Sequence, residues 1–271
     1  TEAAVILSST NQTAENNVFT LNAGAGLGMS NPVNQRINHN VFAYNGFDGA
    51  EGNGHQHSTG AADNPVIENN LFNHNNNEGY GYGCSASCSQ AAIKISHMVG
   101  FTFKNNIVKD TVNGQGFWCD LACSNGKIIN NYISGNGKAG IMYEVSDTGI
   151  IASNVTVNNY VGIRVAASHT KIYNNTIYKN TGDRDIWVYD DPRTYGVDGW
   201  TDVGPDTTDV SVVNNVIAST TPILVRGGQS TGQTSPQTTG FFSTVNYNAY
   251  YRINTTGQTL WGWIYPGGEN Y

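Results

Sequence analysis

The sequence is poor in charge, in Leu and in long apolar runs. Of its 271 residues only 12% are charged, and 13 Lys and Arg stand against 20 Asp and Glu, a net charge of −7. With a pI near 5.2 there is no basic stripe, which argues against a nucleic-acid backbone as partner. No run of about 18 apolar residues occurs, so no transmembrane helix is encoded. The opening Thr1-Glu2-Ala3-Ala4-Val5 run has no signal-peptide character, so any leader is expected to have been removed or to lie outside this sequence. Residues that favour helices are scarce, which leaves an all-β chain. Low charge alone would fit disorder, but 11% of the residues are aromatic, including 15 Tyr, and disordered chains lack such residues.

What is abundant is Asn, 36 residues, and Gly, 32. The Asn residues fall in a repeat, apolar–x–Asn followed by a β-branched or aromatic pair. It occurs at Ile37-Asn38-His39-Asn40-Val41-Phe42, Ile67-Glu68-Asn69-Asn70-Leu71-Phe72, Phe103-Lys104-Asn105-Asn106-Ile107-Val108 and Ile172-Tyr173-Asn174-Asn175-Thr176-Ile177. With the second Asn as marker the positions are 17, 40, 70, 106, 131, 154, 175, 215 and 248, and the shortest steps are 21 to 25 residues. A unit that short cannot bury its own apolar face and must stack on its neighbours. Short, alternating β-branched pieces select strands. Asn tolerates a left-handed backbone at a tight bend, and Asn stacked on Asn forms an amide ladder. The expectation is one domain over residues 1–271, a right-handed parallel β-helix of about nine turns, with 241–271 as a C-terminal capping segment. Its Trp261-Gly262-Trp263-Ile264-Tyr265 run either plugs the last turn or docks on a neighbour.

A second strand of each middle turn aligns as Ala92–Ser96, Gly116–Asp120, Gly140–Glu144, Gly162–Ala166 and Asp185–Tyr189. Alternation sends Ile93, Phe117, Ile141, Ile163 and Ile186 inward. Outward stand two columns: Lys94, Trp118, Met142, Arg164, Trp187, and Ser96, Asp120, Glu144, Ala166, Tyr189. With strands about 4.8 Å apart, Asp120 and Glu144 are expected side by side beside exposed Trp rings. Adjacent carboxylates raise one pKa and give an acid with a base or nucleophile, at a separation near that of retaining glycosidases. The alternatives are a charge network, Asp120 with Lys94 and Glu144 with Arg164, or a bound cation. Lys94 is the third candidate catalytic group. Trp118, Trp187, Arg164, Tyr189, His55 and His57 are candidates for substrate binding. The two His stand in a Gly-rich loop and cap the groove or are merely solvated. No cofactor is required by the pattern; Asp190 and Asp191, with Asp183 and Asp185, are the candidate calcium site. His97 is expected to end a strand.

The four Cys form two CxxxC pairs, Cys84/Cys88 and Cys119/Cys123. An even count fits disulfides in an exported chain; a four-thiolate zinc site has compatible spacing, and connectivity cannot be read from sequence.

The stretch from Asn40 to Asn154, with Ala92-Ile93-Lys94-Ile95-Ser96, Gly116-Phe117-Trp118-Cys119-Asp120 and Gly140-Ile141-Met142-Tyr143-Glu144-Val145-Ser146, resembles secreted right-handed parallel β-helix repeat proteins of the pectate-lyase-like superfamily. Lys94, Asp120 and Glu144 fall on that family's polar positions, although Ala91-Ala92 replaces its Gly pair. The resemblance implies a secreted protein that acts on or binds polysaccharide, without fixing the reaction. The first expectation is a glycoside hydrolase using Asp120 and Glu144. The alternatives are a lyase or epimerase on uronic-acid polymers, and a non-catalytic binding or filament-forming module. The family's amino-terminal cap is not recognisable, so a fragment with an open end is expected, and an open end favours self-association.

Overall fold

The computed structural model describes residues 3–55, 62–81, 90–191, 207–221, 223–229, 240–253, 257, 259–265 and 268–270. Among them there are strands and turns and no helix. The strands form one nineteen-stranded and one nine-stranded hydrogen-bonded sheet. The smaller sheet follows chain order, from Val18–Thr20, Val41–Ala43 and Leu71–Asn73 to Val216–Ser219 and Ala249–Arg252. Each strand pairs in parallel with its equivalent on the next coil, as in Phe19↔Phe42 and Phe42↔Phe72. The exception is the antiparallel pairing of Thr259–Tyr265 with Gly268–Asn270. Trp261 and Trp263 of the first of these pack on Phe241 and Phe242. The chain is therefore a parallel β-helix.

The repeat seen in the sequence sets the corners. The residue before each marker Asn has a left-handed backbone, with φ from +52° at His39 to +59° at Asn16. The marker that follows points inward. From Asn40 to Asn215 these side chains are 2% exposed or less, and each accepts the backbone N–H of the marker one coil before it. Asn131 is typical: its Oδ1 accepts from Asn106 N and Nδ2 at 2.9 and 3.2 Å, and its Nδ2 donates to Phe103 O and Asn154 Oδ1 at 3.0 and 2.9 Å. Every buried polar group at this corner is thus met without water.

A second ladder, missed in the sequence, runs five residues later through Asn45, Asn75, Asn136, Asn159 and Asn180, for example Asn136 Nδ2 to Asn159 Oδ1 at 2.8 Å. Here too a left-handed residue precedes the corner, at Tyr44, His74 and Asn158. Thr111 interrupts the Asn series, and its N–H donates to Asn136 Oδ1. That break hid the period.

Between the corners lies a dry core. Phe19, Phe42 and Phe72 stack in file and Phe103 meets Phe72 at a tilt, and Ile93, Phe117, Ile141, Ile163 and Ile186 are all fully buried. Burial of each such side chain contributes about 1.5–3 kcal/mol. Cys119 and Cys123 are fully buried and joined by a disulfide, so this pair serves a covalent link and not a zinc site. Cys84 and Cys88 lie outside the described residues.

Candidate functional site

The Ala91–Ser96, Gln115–Asp120, Ala139–Ala152, Val161–Ser168 and Arg184–Asp190 strands stack in the register the sequence predicted. Lys94↔Trp118, Trp118↔Met142, Met142↔Arg164 and Arg164↔Trp187 form one continuous outward column. Ser96↔Asp120 and Glu144↔Ala166 belong to the second. The ladder between Gln115–Asp120 and Ala139–Ala152 runs to Cys119↔Tyr143, so Asp120 and Glu144 follow it on neighbouring coils.

Their surroundings differ from the simplest expectation. Each carboxylate engages a cation. Lys94 Nζ lies 3.3 Å from Asp120 Oδ2, and an Arg164 guanidinium nitrogen lies 3.6 Å from Glu144 Oε1. The other oxygen of Asp120 accepts from the Leu121 N–H at 2.9 Å. Glu144 Oε1 also accepts from the Tyr189 hydroxyl. Burial and the Glu144 charge push the Tyr189 hydroxyl well above the usual phenol range, so it stays a donor. The charge network weighed in the sequence is the arrangement found.

The aromatic residues are a correction. Trp118 is 7% exposed and Tyr189 1%, not open stacking platforms. Trp118 is packed among Ala91, Ala139, Met142 and Val161. Lys94 Nζ lies 3.8 Å above its ring. The Arg164 guanidinium lies 4.5 Å from both the Trp187 and Tyr189 rings, which stack on each other. Arg184 covers Trp187 from 4.1 Å. Of the three rings, Trp187 is the one left partly open. Two polar atoms of this face, Trp118 Nε1 and Arg164 Nε, are buried without a hydrogen-bond partner; such atoms mark places where a ligand or water is needed.

His55 is engaged by Asp63: its Nδ1 lies 2.7 Å from Asp63 Oδ1, and its backbone N–H donates to the same oxygen. His57 lies outside the described residues. His97 follows the Ala91–Ser96 strand and meets Asn53 Oδ1 at 2.7 Å. Asp190 is buried and accepts the Thr207 N–H at 2.6 Å, and Asp191 follows the strand end. No group of three or more metal-ligating side chains is found among the described residues.

The sequence missed the coil before Lys94. The Ala50–Asn53 strand places Glu51 in register with Lys94, in the same outward column, and Gly28 follows on the far side. Asp48 and Glu51 line a cavity of about 400 Å³ together with Phe47, Asn53, Lys94 and Ser96. Burial raises the carboxyl of Asp48 well above its ordinary range, helped by the neighbouring Glu51 charge, and burial raises Glu51 as well. The Gly49-Ala50-Glu51 run was the available signal, since it repeats the small residue that opens the strands carrying Trp118 and Arg164.

A coil of parallel strands with a polar, charge-laced lateral face defines the class, a parallel β-helix. The chain belongs to the right-handed β-helix family, whose model, "Right handed beta helix region", matches residues 1–177. No curated protein matches. Among solved structures, a mutant of the periplasmic alginate epimerase AlgG is 16% identical with a TM-score of 0.56, over 83% of this chain and 47% of that one. The A-module of the Azotobacter vinelandii mannuronan C-5 epimerase AlgE4 is 12% identical with a TM-score of 0.47, over 92% of this chain and 54% of that one. A tailspike protein of E. coli bacteriophage HK620, solved with a pentasaccharide, is 12% identical with a TM-score of 0.43, over 96% and 56%. The chain spans about half the length of these proteins. At such identities the likeness speaks for the fold. No helix among the described residues is long and apolar enough to cross a membrane.

Proposed function

We propose that this chain acts on an anionic polysaccharide containing uronic acids, with Lys94 and Arg164 seating sugar carboxylates along the outward column. The observation that carries the reading is how exposure is divided. The side chains of Lys94 and Arg164 keep 21% and 27% of their exposure, while Asp120 and Glu144 keep 6% and 7%. The anions sit behind and the cations in front, so the face offers positive charge to a ligand. The buried carboxylates and the rings hold each cation in one geometry, which lowers the ordering cost of binding. Lys94 and Arg164 are three coils apart, about 14 Å, which suits a polymer with repeated carboxylates and charge-assisted contacts. Trp187 supplies an apolar face for a sugar ring.

Among reactions, elimination or epimerisation beside a carboxylate fits better than hydrolysis. A hydrolytic carboxyl pair needs one protonated acid, and here each of Asp120 and Glu144 is engaged by its own cation. That the AlgG neighbour is named an alginate epimerase agrees with this choice. The buried Cys119–Cys123 disulfide supports export to an oxidising compartment. The test is binding to a panel of polyuronates and neutral glucans by affinity electrophoresis. Retardation by polyuronates alone, lost in Arg164→Ala, supports the reading; equal retardation by neutral glucans, or none by any polyuronate, overturns it.

A further inference from the structure

The cavity before Lys94 borders the Lys94–Asp120 pair and holds two carboxyls in unlike surroundings, Asp48 and Glu51. Its volume of about 400 Å³ lies within the usual range for small-ligand sites. Glu51 occupies the outward column next to Lys94, about 4.8 Å along the sheet. Beyond it Gly28 has no side chain and Ile6 follows in the column, and both line the same cavity. Asp48 is 1% exposed. Its Oδ1 accepts the Ala91 N–H at 2.8 Å, and the residue lines the cavity with Glu51 and Lys94.

We propose that this cavity is the reaction subsite, with Glu51 as the residue that moves the proton on a uronic sugar whose carboxylate Lys94 holds. The proposal rests on the uronate reading above and adds the place and the groups of the chemistry. The Glu51 carboxylate removes the hydrogen from the carbon that bears the sugar carboxylate. The electron pair passes into that carboxylate, which is held by the Lys94 ammonium and by the Asp48 carboxyl as a neutral donor. The pair then forms the C=C bond as the neighbouring C–O glycosidic bond breaks. The departing oxygen takes the proton from Glu51, which returns to its starting state. One C–H and one C–O bond are broken, one C=C and one O–H bond are made, and no co-reactant is needed. A buried acid above its ordinary range beside a half-buried one is the environment in which a carboxyl keeps a proton at neutral pH and its neighbour works as a base.

The test uses the full chain, its Glu51→Gln and Asp48→Asn variants, and two readouts on polyuronates: binding, and ultraviolet absorbance of the unsaturated uronate product. The wild type is expected to bind and to produce the absorbance. Glu51→Gln is expected to bind within about threefold and to lose about 10²-fold or more in rate. Asp48→Asn, which can still donate to a carboxylate, is expected to keep more activity than Glu51→Gln. A Glu51→Gln variant that keeps over a tenth of the rate overturns the proposal. So does a wild type that binds polyuronates but yields no unsaturated product, and in that case the binding reading stands. Absence of binding overturns both.

Discussion

Replacing Asn131 by Ala tests whether the inward Asn ladder holds the coils together. The side chain takes part in four hydrogen bonds, two as acceptor from Asn106 and two as donor to Phe103 O and Asn154 Oδ1. Two of the partners survive its loss. Asn106 Nδ2 keeps Ile67 O, and Asn154 Oδ1 keeps the Asn131 N–H. The Asn106 N–H has no substitute and is left buried and unpaired, at a cost of about 1–3 kcal/mol. The lost bonds and the small void add about 1–2 kcal/mol more, for a sum of about 2–5 kcal/mol. Asn17, at the first coil, is the control: it is exposed and donates to Glu15 O and Asn40 Oδ1. Asn17→Ala should cost under about 1 kcal/mol. Asn131→Asp should cost more than Ala, because its second oxygen would face two acceptors. Urea unfolding followed by circular dichroism measures all three. Equal losses for Asn17→Ala and Asn131→Ala, or a loss under about 1 kcal/mol for the latter, would show that packing alone holds the corners.

Three further outcomes are expected. Burial lifts the Asp185 carboxyl from 3.8 to about 6, against hydrogen bonds from Asn180 and Thr221. A raised acid binds its proton more tightly when folded, so its contribution is whole below pH 3.8 and fades as pH climbs through about 6. Wild type should therefore lose about 2 kcal/mol relative to Asp185→Asn between pH 4 and 7; a stability difference that does not move with pH contradicts this. A double-mutant cycle on Lys94→Ala and Asp120→Asn should give a coupling of about 1–2 kcal/mol, read from chemical denaturation, and additive losses would mean the pair is not formed. The Cys119–Cys123 disulfide closes a short loop in the core. Replacing both by Ala should cost about 2 kcal/mol, and under native conditions peptide mapping should find neither thiol labelled after mild reductant.

The fold was legible because its period is carried by residues with no other reason to recur. A left-handed position followed by a buried Asn is a corner wherever it occurs, and strand alternation then placed Lys94, Trp118, Met142, Arg164 and Trp187 in their true column. What alternation does not convey is how the column is covered. Trp118 was expected open because its parity is outward, yet Lys94 lies across it and Met142 and Ala139 flank it. Opposite charges also chose each other over the like-charged contact: Asp120 and Glu144 turned to Lys94 and Arg164. Glu51 was missed because its coil was not aligned with the next one. The His55 partner, Asp63, stands eight residues on, and spacing alone does not single it out.

The most direct measurement is a crystal structure of the chain with an oligouronate bound. The account predicts sugar carboxylates on Lys94 and Arg164, with the ring between them following the column past Met142, and one sugar entering the cavity beside Glu51. A ligand lying on the nine-stranded sheet, or one on this face without a carboxylate at either cation, would contradict it.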